Sequence, residues 1–96
     1  MSYGFEFEWF TGCQIDEKTD YLGHDMKGLV GIKVENQEAC AKRTALTKGA
    51  LFWTYRDSDK KCWIKTSKKG KKANKTLVSG NRECGLQENE ELKQGA

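Results

Sequence analysis

This sequence of 96 residues lacks most of the features that enzymes and membrane proteins show. Its one histidine, His24, cannot supply a metal site built from several histidines. Its four cysteines form no Cys-x-x-Cys pair, which disfavours a zinc ribbon or a thioredoxin-like site. The Gly-x-Ser-x-Gly turn that exposes a hydrolase serine is also absent. No apolar run approaches the length of about 18 residues that a membrane span needs, and no signal peptide is expected at the N-terminus.

The length and composition predict one small domain. A chain this short buries only about 60–65% of the surface of its unfolded state, so its apolar core alone is marginal. The sequence is 36% hydrophobic and 32% charged, but ten aromatic residues argue against disorder. We expect a folded module over residues 1–85 and a polar, disordered tail over residues 86–96.

The four cysteines, Cys13, Cys40, Cys62 and Cys84, are widely spaced, which favours a disulfide framework over a metal site. Four cysteines allow three pairings, and spacing alone does not choose among them. Disulfides require an oxidising compartment, so we expect a secreted or cell-surface protein of which this chain is one module. The alternative is four reduced, buried cysteines in a cytosolic protein.

Periodicity predicts strands around one helix. Residues 3–9 alternate aromatic and polar side chains, which is typical of a half-buried strand. Residues 14–28 are polar and predict a long loop, and residues 29–34 predict a second strand. An alanine-rich segment at 37–47 without glycine or proline predicts a helix, and Lys48 and Gly49 follow as a stop signal.

Two further strands, at 51–56 and 61–66, read as a hairpin. If Arg56 pairs with Lys61, cross-strand neighbours share a face. One face then carries Trp53, Tyr55, Cys62 and Ile64, and the other carries Phe52, Thr54, Arg56, Trp63 and Lys65.

The segment at 59–85 is strongly basic. Its nine Lys or Arg residues stand against Asp59 and Glu83, a local formal charge of +7. We expect a lysine-rich loop at 67–75 and a short strand at 76–78. The loop holds the first ligand-binding candidates, which are Lys68, Lys69, Lys71 and Lys72. Such a cluster attracts sulfated glycans or other polyanions, although it also suits a solvated loop. Nucleic acid is not expected, because disulfides indicate an extracellular location.

The second ligand-binding candidates are Phe52, Arg56, Trp63 and Lys65 on one face of the hairpin. Aromatic rings beside cations suit stacking on a sugar or anchoring of a protein partner. The alternative is that the N-terminal strand or a loop covers the two rings.

Other motifs carry less chemistry. His24 lies beside Asp25, but the sequence offers no nucleophile to complete a hydrolase triad. The acids Asp16, Glu17, Asp20 and Asp25 lack the spacing of a calcium loop. Residues 74–76 form an Asn-x-Thr glycosylation motif. We therefore expect no enzyme activity, no metal and no cofactor.

In sequence order these features resemble a PAN/apple domain from Cys13 to Cys84. The matching stretches are Cys13, Tyr21-Leu22-Gly23-His24-Asp25-Met26, Val34, Cys40, Phe52-Trp53-Thr54-Tyr55, Cys62-Trp63-Ile64-Lys65, Ser79-Gly80 and Cys84. The resemblance implies an α+β fold, in which about five antiparallel strands cradle a single helix. It also implies the pairs Cys13–Cys84 and Cys40–Cys62.

Many apple domains have a third disulfide, and the chain departs from that pattern. Thr44 and Ala50 occupy the places of the additional cysteines. Both are small, so we expect the fold to survive without the bond and the end of the helix to be less rigid.

The resemblance implies a function in adhesion, because PAN modules serve in clotting zymogens, hepatocyte growth factor and apicomplexan microneme proteins. We expect a protein-binding module, one of several in its parent protein, with a role in host-cell attachment. The alternative is a carbohydrate-binding module, either lectin-like or specific for sulfated glycans. The expected location is secreted or cell-surface, or a secretory organelle such as the microneme, and neighbouring modules are expected partners.

Overall fold

An antiparallel sheet of five strands packs against a nine-residue helix in the computed structural model, which describes residues 12–86, and residues 83–86 form a further helical turn. The elements are β1 (Ile15–Tyr21), β2 (Ile32–Lys33), α1 (Gln37–Ala45), β3 (Phe52–Arg56), β4 (Lys61–Lys65) and β5 (Lys71–Asn81). The strand order across the sheet is β1-β5-β3-β4-β2. The α+β class and the five antiparallel strands agree with expectation. The strand predicted at 3–9, and the tail from residue 87 onward, lie outside the described residues.

The hairpin of β3 and β4 forms the centre of the sheet with the predicted register. Arg56 pairs with Lys61, and Trp53 pairs with Ile64. The face predicted for the core is buried, since none of its four side chains is more than 2% exposed. Burying a large apolar side chain stabilises a fold by roughly 1.5–3 kcal/mol, so this face is the main apolar contribution of the hairpin. The core face comprises Trp53, Tyr55, Cys62 and Ile64.

Helix α1 begins as predicted and ends earlier. The Asn36 side chain accepts a hydrogen bond of 2.8 Å from the backbone N–H of Ala39, which caps the first turn. Thr47 N–H donates to the carbonyl of Thr44, so the chain tightens after Ala45 and leaves the helix two residues before the predicted end. Gly49 has the expected left-handed backbone, with a φ of 86°, but lies in the turn after the helix rather than at its cap.

Two segments predicted as loops are strands. Strand β1 lies inside the predicted loop at 14–28, and β5 starts at Lys71 rather than near residue 76. Both segments are polar because the ribbon they form is largely exposed, so their backbone pairing leaves no apolar alternation in the sequence. The pairing breaks between Glu17–Val78 and Thr19–Ala73. Residues 74–77, called the β5 excursion below, therefore leave the ladder with β1.

The strand predicted at 29–34 is reduced to the two residues of β2. The preceding chain nevertheless follows the outer edge of β4 through separate backbone hydrogen bonds. Met26 N–H donates to the carbonyl of Ile64 at 2.8 Å, and Thr66 N–H donates to the carbonyl of His24 at 3.0 Å. This edge segment, residues 24–33, brings Asp25 and Gly31 onto the face of the sheet opposite α1.

Two disulfides close the structure. Cys40–Cys62 ties α1 to β4 inside the core, and both residues are fully buried. Cys13–Cys84 joins the two ends of the described region. Both pairs agree with the pairing that the resemblance implies. Thr44 in α1 is also fully buried, and its hydroxyl donates to the carbonyl of Cys40 at 2.9 Å.

Candidate functional site

The sheet face opposite α1 combines aromatic rings with cations. The guanidinium carbon of Arg56 lies 5.0 Å from the centre of the Trp63 ring system. The ammonium nitrogen of Lys68 lies 5.7 Å from the centre of the Phe52 ring. Both distances are within the range of cation–π attraction. These four residues are called the aromatic–cationic face below, and they join members of both sets of predicted ligand-binding residues.

The Asp59 carboxylate holds the Arg56 side chain through two hydrogen bonds. The Nε of Arg56 donates to Oδ1 at 3.0 Å and its terminal nitrogen to Oδ2 at 2.9 Å. The hydrogen bonds from Arg56 hold the pKa of Asp59 below its ordinary value. This two-point contact fixes the plane of the guanidinium over Trp63. Gly31 covers part of the indole, since a Cβ at this glycine would lie 3.5 Å from the ring.

Phe52 is supported by a residue that sequence reasoning did not assign to the site. Tyr21 meets the Phe52 ring edge to face, with centres 5.7 Å apart, and is only 2% exposed. The Tyr21 hydroxyl donates to a carboxylate oxygen of Asp16 at 2.5 Å. Burial, together with this contact, raises the pKa of Tyr21 far above its ordinary value. Tyr21 was visible in the sequence only as part of the family resemblance, because its partner Phe52 is distant along the chain.

Lys65, a predicted ligand-binding residue, is not accessible. It is 2% exposed, and its ammonium group donates to Asp25 Oδ1 at 2.6 Å and to the carbonyl of Gly23 at 3.2 Å. Its prediction as a surface contact was wrong, because the edge segment brings Asp25 over the end of β4. A buried cation keeps its charge only when paired, so Lys65 serves to anchor this segment.

The four clustered lysines do not form a single cationic surface. Lys71 and Lys72 are consecutive in a strand and so point to opposite faces. The Nζ atom of Lys71 lies 3.3 Å from Oδ2 of Asp16. Lys72 is opposite Asp20 in the pairing of β5 with β1. The acids that face them come from β1 and not from the basic segment itself. The remaining two lysines, Lys68 and Lys69, are exposed at the turn that leads into β5.

The contacts of Asp16 predict a pH dependence of stability. The hydrogen bond from Tyr21 and the nearby Lys71 lower the pKa of Asp16 in the folded chain. An aspartate in an unfolded chain has a pKa of about 3.9. A group of this kind stabilises the fold above its unfolded pKa and loses that contribution as pH falls through its folded pKa. Asp16→Asn should therefore be less stable than wild type at neutral pH, with the difference closing as the pH falls below about 3.9 and through the lowered folded pKa. Urea unfolding across this range measures it, and a difference independent of pH would contradict the assignment.

The remaining chemistry-bearing residues are not assembled into a site. Within residues 12–86 no three His, Cys, Asp or Glu side chains are grouped so as to hold a metal ion. His24 is exposed, with a left-handed backbone φ of 58°. Across the same residues, no helix has the length and apolar character needed to cross a membrane.

Comparison with known proteins gives no further assignment. No family model matches the chain, and no curated protein matches it.

Proposed function

We propose that this chain is a PAN/apple-like binding module of a secreted or cell-surface protein. In this proposal it is one of several such modules, it binds a protein partner, and it serves in attachment to host cells, as in a microneme adhesin. Two disulfides in a small domain are compatible with an extracellular location. The resemblance in residue order, together with an antiparallel sheet packed against a helix, supports the family assignment.

The aromatic–cationic face is the observation that carries the proposal of a protein partner. Binding energy at protein interfaces concentrates in a few residues, among which tryptophan and arginine are enriched. Trp63 is half-buried, and Arg56 is already fixed above it by Asp59. A side chain that is ordered before binding loses less conformational entropy in the complex, which favours affinity.

A direct test uses fluorescent tetramers of the module on cultured vertebrate cells. Staining should be lost after the cells are treated with trypsin and retained after treatment with heparin lyases. Arg56→Gln and Trp63→Leu should each reduce staining by about tenfold or more, as expected for residues that contribute 1.4 kcal/mol or more to binding. Arg43→Gln, which removes an exposed arginine of α1, is the matched control and should leave staining unchanged.

Two results would contradict the proposal. Staining that survives trypsin and disappears with heparin lyases would show that the ligand is a sulfated glycan. Equal staining by the wild type and the Trp63→Leu variant would show that the partner binds elsewhere.

A sulfated glycan is the second candidate ligand, favoured by the exposure of Lys68 and Lys69 and by the local charge of +7. Attraction of this kind weakens with salt, because the Debye length falls from about 30 Å at 0.01 M to about 3 Å at 1 M.

If this ligand is correct, the double variant Lys68→Ser/Lys69→Ser should elute from a heparin column at clearly lower salt than the wild type. Lys42→Ser/Lys48→Ser removes the same charge on the helix side and is the control. Equal elution of the two double variants would mean that only net charge matters and that Lys68 and Lys69 form no site.

A further inference from the structure

The β5 excursion carries a motif that the proposed binding face does not use. Asn74, Lys75 and Thr76 match the Asn-x-Thr acceptor sequence for N-linked glycans, with lysine and not proline at the central position. The other asparagines of the chain, Asn36, Asn81 and Asn89, do not start such a motif. The chain therefore offers one acceptor site.

The excursion presents this motif to solvent. All three residues are exposed, and they lie between the last β1–β5 pair at Val78 and the next at Ala73. The pairing of β5 with β3 also stops at Val78. An enzyme can therefore reach the acceptor segment without opening the sheet.

The side chains of the motif already contact each other. The Thr76 hydroxyl donates to Asn74 Oδ1 at 2.8 Å, and the Thr76 backbone N–H donates to the same oxygen at 3.0 Å. Both hydrogen bonds are accepted by Oδ1, so neither engages the Nδ2 group, which is the atom that a glycan modifies.

We propose that Asn74 is N-glycosylated when the chain is made in a eukaryotic secretory pathway. The compartment in which disulfides form is also the one in which this transfer occurs, and the two disulfides point to it. The donor is an oligosaccharide carried on a lipid pyrophosphate. A new bond joins Asn74 Nδ2 to the anomeric carbon of the sugar. The bond from that carbon to the pyrophosphate oxygen breaks, the lipid pyrophosphate leaves with the electron pair, and a base accepts one proton from Nδ2.

The test is secretion of the full chain, preceded by a cleavable signal, from cultured eukaryotic cells, followed by intact mass measurement. The wild type should carry a glycan that peptide N-glycosidase F removes, converting Asn74 to aspartate in the isolated peptide. Asn74→Gln and Thr76→Ala should lose the glycan, and Thr76→Ser should keep it because the hydroxyl remains. A count of free thiols confirms that each secreted variant has formed both disulfides.

A positive control keeps the result decisive. Glu91→Thr in the Asn74→Gln background creates a new acceptor motif at Asn89. If this control is glycosylated and the secreted wild type is not, the proposal is overturned. A glycan that persists on the Asn74→Gln variant would equally overturn it, because the attachment site would then lie elsewhere. Neither result depends on the ligand of the aromatic–cationic face.

Discussion

Reduction of both disulfides is expected to unfold this chain at physiological temperature. The chain-entropy model assigns about 3.4 kcal/mol to closure of the 22-residue separation of Cys40–Cys62 and about 4.4 kcal/mol to the 71-residue separation of Cys13–Cys84. Both values are upper-end estimates, yet either is comparable with the total stability of about 5–15 kcal/mol of a small domain. Thermal unfolding with and without a phosphine reductant measures the effect. An unchanged midpoint, with four free thiols confirmed by titration, would contradict the expectation.

Single-bond variants separate the contributions of the two disulfides. Cys40→Ala/Cys62→Ala should lower the melting temperature by at least about 14–27 °C, since about 3.4 kcal/mol corresponds to that shift in a domain of this size. The loss should exceed the chain-entropy value, because both sulfurs are fully buried between α1 and β4 and their removal leaves a cavity. In the wild type, Cys13 and Cys84 are only partly buried. Cys13→Ala/Cys84→Ala should therefore lose the chain-entropy contribution alone. A loss for the buried pair below its chain-entropy value of about 3.4 kcal/mol would contradict its role in fixing the helix.

The second large effect is expected at the Lys65–Asp25 ion pair. Asp25→Ala leaves the Lys65 ammonium group without its charge partner in a site where the side chain is 3% exposed. Removing one partner of a buried pair costs about 3–5 kcal/mol, and the partial exposure of Asp25 and the second acceptor at Gly23 reduce this to about 2–4 kcal/mol. Chemical denaturation should show this loss as a lower midpoint with an unchanged slope.

The opposite variant provides the control. Lys65→Met replaces the cation with an apolar side chain of similar length. The Asp25 side chain is 30% exposed, so water can solvate its carboxylate once the ammonium group is gone. The expected cost is within about 1 kcal/mol, because an apolar replacement of a buried ion is often neutral. The double variant should resemble Lys65→Met alone. Equal losses for Asp25→Ala and Lys65→Met would show that the pair acts through its hydrogen bond and not through the buried charge.

The elements that sequence reasoning predicted are those with strong local patterns. The helix has an Asn36 cap and no internal breaker, and the β3–β4 hairpin consists of two runs rich in aromatic and other apolar residues on either side of a short turn. The ribbon of β1 and β5 has neither signal. It is largely exposed and charged, and its pairing joins residues that lie 50 to 65 positions apart, which a local pattern does not encode.

The candidate site was predictable in composition and not in assembly. Phe52, Arg56 and Trp63 were placed on one face by strand alternation alone, and they do share it. The burial of Lys65 and the support of Phe52 by Tyr21 arise from segments about 30–40 positions earlier in the sequence, brought close only by the fold. The ion pair between Asp16 and Lys71 is likewise formed by segments distant along the chain, so the charge of a lysine cluster read from sequence overstates what a ligand meets.

The position of Cys13 beside Cys84 determines how the module responds to mechanical tension. The two Cα atoms lie 4.5 Å apart, and the sheet and helix α1 lie within the 71-residue separation between them. A pull applied to the two ends of the described region enters at one of these cysteines and leaves at the other. The force therefore passes through the sulfur–sulfur bond, and the strands carry no load. Cleavage of that bond would let about 160–180 Å of chain extend, at about 3.3–3.6 Å per residue, because the Cys40–Cys62 bond still holds 22 of the 71 residues in a closed loop. For the attachment function proposed above, the extension of this module under tension would thus depend on the redox state of one bond.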